Sequence, residues 1–118
     1  DVANFDVAKY GPAIECKTDV FPKKTNVTFA QIVDKNYIKI REWERGTGET
    51  IGCGTGCSTA VVMASTLGLT DRICKVEQIG GILEIEYAEN GELFMKGPSN
   101  FVFESEIDVS HIIGGEEK

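Results

Sequence analysis

The chain has little histidine, little basic charge and no long hydrophobic run, and each shortage excludes something. His111 is the only histidine among 118 residues. The four cysteines, Cys16, Cys53, Cys57 and Cys74, form no CxxC pair. A zinc site would have to be assembled mainly from scattered thiols, so none is expected. Lys and Arg number 12 against 19 Asp and Glu, a net charge of −7. An acidic domain of this kind is a poor partner for nucleic acid or an anionic membrane. No apolar stretch approaches the ~18 residues that cross a bilayer. The first residues carry neither a basic region nor an apolar one, so a signal peptide is not expected and a cytoplasmic location with reduced thiols is. The opening text, "DVANFDVAKYGPAIEC", lacks an initiator Met and reads as the middle of a longer protein.

What is present suits one α+β domain over residues 1–118. Apolar residues make up 42% of the chain, an ordinary globular share. "FDVAKYGPAIECK" reads as a short helix with Asp6 as its N-cap, weakened in the middle by Pro12. "FPKKTNVTFAQIVDKNYIKIREWER" reads as two strands joined by a turn at residues 34–36, because Val27, Phe29 and Val33 alternate with polar residues, as do Ile38 and Ile40. "TGCSTAVVMASTL", residues 55–67, reads as a helix that Gly68 stops. It is apolar around much of its circumference, so burial on several sides is expected. "ICKVEQI", "GILEIEYAE", "ELFMKGP" and "NFVFESEIDV" read as further strands, with a hairpin at Asn90-Gly91. "GGEEK" reads as a frayed end. The expected architecture is an antiparallel, barrel-like sheet around one central helix.

The chemistry concentrates in "REWERGTGETIGCGTGC", residues 41–57. A helix N-terminus leaves backbone N–H groups without partners and carries partial positive charge. Glycines let a ligand come close to those groups. Gly54, Thr55 and Gly56 therefore make a seat for a carboxylate or phosphate. Cys53 at the same place has its thiolate stabilised and can serve as base or nucleophile. That pairing suits proton abstraction beside a carboxylate. The bland alternative is a small buried thiol in an ordinary turn. "GCGTGCST" has no Lys for a P-loop, and the dinucleotide glycine spacing is missing. Glu44 and Arg45 are adjacent in a strand, so they point to opposite faces and at most one faces a given pocket. Arg45 could pair with a substrate carboxylate; a solvated edge is the simpler alternative. Trp43 reads as core, and Cys57, one helical turn beyond Cys53, as packing.

"WERGTGETIGCGTG", residues 43–56, resembles the second cysteine segment of the diaminopimelate epimerase family, ERGxGETxxCGTG, with every fixed position present. "GPAIECKTDVFPKKTNVTF", "GGILEIEY" and "LFMKGPSNFVFESEID" resemble that family's flanking segments. The resemblance implies a cofactor-free, metal-free enzyme that interconverts LL- and meso-diaminopimelate for lysine and peptidoglycan precursors. It implies two pseudo-symmetric halves, each a sheet around a helix, with one cysteine from each half flanking the substrate Cα. Carried over by motif, Cys53 is the acid–base cysteine of the C-terminal half. Gly54 and Thr55 hold the carboxylate on the reacting carbon. Arg45 and Asn26 hold the distal carboxylate. Glu44 contacts substrate and assists the thiols. The family's first cysteine, its glycine turn and its Asn-Pro-His segment have no match here. The chain is thus expected to be the C-terminal half only, inactive without its N-terminal partner, from a parent compatible with a homodimer. Alternatives are a proline- or hydroxyproline-racemase-like or phenazine-type isomerase domain, a non-catalytic carboxylate-binding domain, and a redox module built on Cys53 and Cys57.

Overall fold

The computed structural model describes residues 1–113, and the expected frayed end at residues 114–118 lies outside the described residues. A 3₁₀ turn at Val2–Asn4 precedes α1 (Val7–Glu15). Six strands follow, β1 (Val27–Asp34), β2 (Tyr37–Glu44), β3 (Gly48–Thr50), β4 (Ile73–Gln78), β5 (Gly81–Tyr87) and β6 (Leu93–Lys96). Helix α2 (Gly54–Thr66) lies between β3 and β4, and the short α3 (Ser110–Ile113) closes the described chain. No described helix is long and apolar enough to cross a membrane.

The local signals worked as chemistry requires. Asp6 caps α1 by accepting from the Lys9 N–H at 3.1 Å. Pro12 sits inside α1 without ending it. Gly68 follows α2 with φ +74°, the left-handed conformation that stops a helix. Gly91 takes φ +88° in the β5–β6 hairpin.

The sheet runs β1-β2-β4-β5-β6, with β3 pairing β2 off that path. Four of its five pairings are antiparallel; β2 and β4 run parallel. The expected α+β class holds, with this one parallel junction added. It arises because the edge of β2 opposite β1 is shared. Tyr37–Lys39 pair with β4 and Glu42–Glu44 pair with β3. Helix α2 is the crossover between the two borrowers.

Alternation along β2 divides the molecule. Ile38, Ile40 and Glu42 are buried, and Ile38 and Ile40 belong to the core with Cys57, Ala60 and Val61 of α2. Cys74, Val76 and Ile85 complete that core from β4 and β5. Arg41 and Trp43 face the other way, toward α1 and the 3₁₀ turn.

Two expectations are corrected. Helix α2 is buried along one side only. Thr55, Thr59, Met63 and Thr66, spaced three or four apart, form an exposed stripe, with Met63 53% exposed. The segment "NFVFESEIDV" forms no strand, and residues 97–109 have no regular structure. Its alternation is real, but among the described residues no strand pairs with it, and Phe101 and Val102 are each 83% exposed.

Candidate active site

The site forms where the shared edge of β2 divides. Chain leaving β3 must turn sharply to enter α2, and Gly52 and Gly54 allow it. A Cβ on Gly52 would sit 3.1 Å from the Gln78 side chain, and one on Gly54 would sit 2.8 Å from Met95 Sδ. Cys53 is the N-cap of α2, in extended conformation at φ −147° and ψ 111°. Its side chain does not cap the helix. The thiol instead lies 3.1 Å from Thr55 Oγ1. The first i→i−4 bond of α2 runs from the Cys57 N–H to the Cys53 carbonyl at 3.0 Å. The N–H groups of Gly54, Thr55 and Gly56 therefore have no intrahelical acceptor and face outward at the positive end of the helix. A groove of about 650 Å³ opens beside them, lined by Gly54, Thr55, Thr59, Met63, Leu93 and Met95 among others.

Gln78, at the end of β4, holds this turn and carried no local signal in the sequence. Its Oε1 accepts the Cys53 N–H at 2.8 Å and the Cys57 thiol at 3.3 Å. Cys57 is fully buried, and burial together with the nearby Cys53 and Glu42 pushes its thiol up to about 11. It therefore stays protonated, as packing requires.

Asn26 and Arg45 also meet. Asn26 Oδ1 accepts the Arg45 N–H at 2.7 Å, and Arg45 Nη1 donates to the Lys23 carbonyl at 3.1 Å. Arg45 is exposed and lies just past the end of β2. Glu44 is half-buried and, by alternation, continues the Ile38–Ile40–Glu42 side of the strand. The carbonyl of Glu44 accepts the Thr47 N–H at 3.0 Å, which closes the turn. Among the described residues, no hydrogen bond joins the Asn26–Arg45 pair to Cys53. The structure thus gives two separate polar stations, one at the head of α2 and one at the end of β2.

The second station is braced from behind. Glu15 of α1, 6% exposed, accepts the Trp43 indole N–H at 2.7 Å and the Gly46 N–H at 2.9 Å. These bonds hold its carboxyl below the ordinary carboxylate range, the Trp43 bond most strongly. Gly11 lets α1 approach, because a Cβ there would lie 2.5 Å from Trp43. Trp43, expected in the core, is instead half-buried on the opposite face of β2, packed against α1. Arg41 and Glu42, neighbours in β2, lie on opposite faces. Arg41 meets Glu49 through two bonds of 2.6 and 3.0 Å on one face, and Glu42 is buried on the other.

The sequence profile described as "Diaminopimelate epimerase" matches residues 1–102. Curated relatives named diaminopimelate epimerase include that of Synechococcus elongatus, 44% identical over 110 residues, and that of Methanococcus maripaludis strain S2, 47% identical over 111 residues. The one from Agathobacter rectalis is 48% identical over 111 residues. These alignments cover 92–93% of this chain and 38–39% of each relative. The chain therefore spans about two-fifths of the length of these proteins. Among solved structures, a Bacillus anthracis phenazine biosynthesis protein of the PhzF family superposes with a TM-score of 0.54 at 23% identity. That match covers 80% of this chain and 31% of the other, and it concerns the fold alone.

Proposed function

This chain belongs to the diaminopimelate epimerase family, and from that premise we propose that it supplies one side of a two-cysteine, cofactor-free site inverting the reacting Cα of diaminopimelate. Cys53 is the acid–base group of this side. In one direction its thiolate takes the Cα proton while the other cysteine's thiol protonates the opposite face; in the other direction its thiol protonates the face that it covers. Inversion needs two such groups on opposite faces, and the second cysteine comes from the N-terminal part of the parent protein. The N–H groups of Gly54 and Thr55 hold the carboxylate on the reacting carbon and so stabilise the negative charge that develops there. Arg45, with Asn26 fixing its backbone, holds the distal carboxylate, and Glu44 contacts substrate and assists proton transfer. With half of the pair missing, the 118-residue chain does not turn over by itself.

The observation that best supports this reading is the state of Cys53. Its thiol is half-buried at the head of α2, beside N–H groups without intrahelical acceptors, and it does not cap the helix itself. A buried structural thiol, as Cys57 is, has none of these features. The carboxylate seat is tested by amide NMR during titration with diaminopimelate. The Gly54 and Thr55 amides should move first, and Arg45→Met should weaken the response to diaminopimelate while leaving that to a monocarboxylate unchanged. Shifts that bypass residues 53–56 would contradict the assignment.

A further inference from the structure

Behind the first turn of α2 lies a carboxyl group that the proposed chemistry does not use. Glu42 is 3% exposed. Its carboxyl occupies the space a side chain at position 56 would need, since a Cβ on Gly56 would run into Oε2 and lie 3.0 Å from Oε1. Gly is a costly choice inside a helix compared with Ala, and Glu42 explains it here. The neighbours of that carboxyl come from three elements. Thr28, opposite it on β1, donates to Oε2 at 2.6 Å. Thr50, opposite it on β3, has a buried hydroxyl without a partner. From α2 come Gly56 and the Cys57 thiol. Glu44, two residues along β2, adds like charge. Glu49 is paired with Arg41 on the other face. Among the described residues no Lys or Arg pairs with Glu42, so the positive end of α2 and the Thr28 hydroxyl are what favour its ionised form.

We propose that Glu42 is a positioning residue that acts on Cys53 through the first turn of α2: its buried carboxylate opposes the positive end of the helix and keeps the thiol less reactive than the turn alone would make it. This gives a reason for placing an acid there. A cysteine that alternates between base and acid must be neither a permanent thiolate nor a permanent thiol. A helix N-terminus with free N–H groups pushes toward the thiolate; a negative charge behind it pushes back. The consequence for turnover rests on the reading of Cys53 given above, but the coupling itself is measured without substrate and stands or falls separately.

The test is the rate of iodoacetamide alkylation of the folded chain from pH 6 to pH 10, resolved by peptide mass spectrometry. Glu42→Gln preserves the shape and can still accept from Thr28. It should raise the Cys53 rate at pH 7 by about threefold. Thr28→Val should act in the same direction by a smaller factor, because it removes a bond that favours the ionised carboxyl. Cys57 should stay unmodified in every variant. A Glu42→Gln profile coinciding with the parent chain's would overturn the proposal. So would a rise in Cys53 accompanied by new labelling of Cys57, which would indicate a loosened helix. If circular dichroism shows that Glu42→Gln does not fold, Thr28→Val decides: a faster Cys53 supports the coupling, and an unchanged one overturns it.

Discussion

Residues 42–57 and residues 97–109 look equally structured as sequence, yet they differ completely in the folded chain. The first stretch contains five glycines and almost no apolar periodicity, and it is tied to three other elements. Glu15, Thr28 and Gln78 reach into it from α1, β1 and β4. The second alternates apolar and acidic residues in the pattern of a half-buried strand, and among the described residues no strand pairs with it. Phe101, Phe103 and Ile107 are each more than three-quarters exposed. A pattern states which face a segment would bury. Whether it buries anything depends on a neighbouring strand, and a strand's hydrogen bonds, unlike a helix's, are all made elsewhere.

Substitutions can break this contrast or sharpen it. The largest effect is expected from Gly56→Ala, which drives a methyl group into the Glu42 carboxyl. It should destabilise the chain by about 1–3 kcal/mol in thermal melts. The double variant Gly56→Ala/Glu42→Ala should recover most of that loss, since the two side chains then no longer compete for one space. Additive losses would contradict the packing described. Gln78→Leu should cost about 1–2 kcal/mol, because it strands the partly buried Cys53 N–H, and hydrogen exchange at that amide should accelerate.

The pH dependence of stability carries two opposite signs. Glu15 is held below the ordinary carboxylate value of 4.5. Its contribution is complete above that value and is lost as the pH falls through the lower, folded-state one. Melts of Glu15→Gln should therefore fall below the parent's at neutral pH and converge with them in acid. Glu42 is shifted upward, first by burial, against the opposing hydrogen bond from Thr28. Its ionisation costs stability above the folded-state value, and the cost disappears as the pH falls. Glu42→Gln should thus melt higher than the parent at pH 7, with the gap closing toward pH 4. The smallest effect is expected at the other end of the comparison. Phe101→Ser should change stability by less than about 0.5 kcal/mol, as surface changes do; a loss above 1 kcal/mol would mean that the segment is packed.

What was legible in the sequence was local. The N-cap at Asp6, the glycine stop after α2, the hairpin at Asn90-Gly91 and the turn into α2 at Cys53 each depend on a few adjacent residues, and each stands in the structure. Glu42 was legible in part: it shares the parity of Ile38 and Ile40, which places it on the buried face. Gln78 and Glu15 were not legible, because nothing near them says that their side chains will close on Cys53 or Trp43. The parallel pairing of β2 with β4 was hidden for the same reason. It depends on how β2 shares one edge between two strands. Burial of α2 was overestimated because apolar content around a helix gives an upper limit on what can be covered, and the stripe from Thr55 to Thr66 is left open.

One experiment bears most directly on Cys53 as half of an inverting pair: deuterium incorporation at Cα of diaminopimelate in heavy water, read by mass spectrometry after chiral separation. The chain should show none by itself. Mixed with the N-terminal remainder of its parent it should show exchange with inversion, and Cys53→Ala should abolish both. Exchange by the chain alone, or exchange that survives Cys53→Ala in the folded mixture, would contradict the two-cysteine assignment.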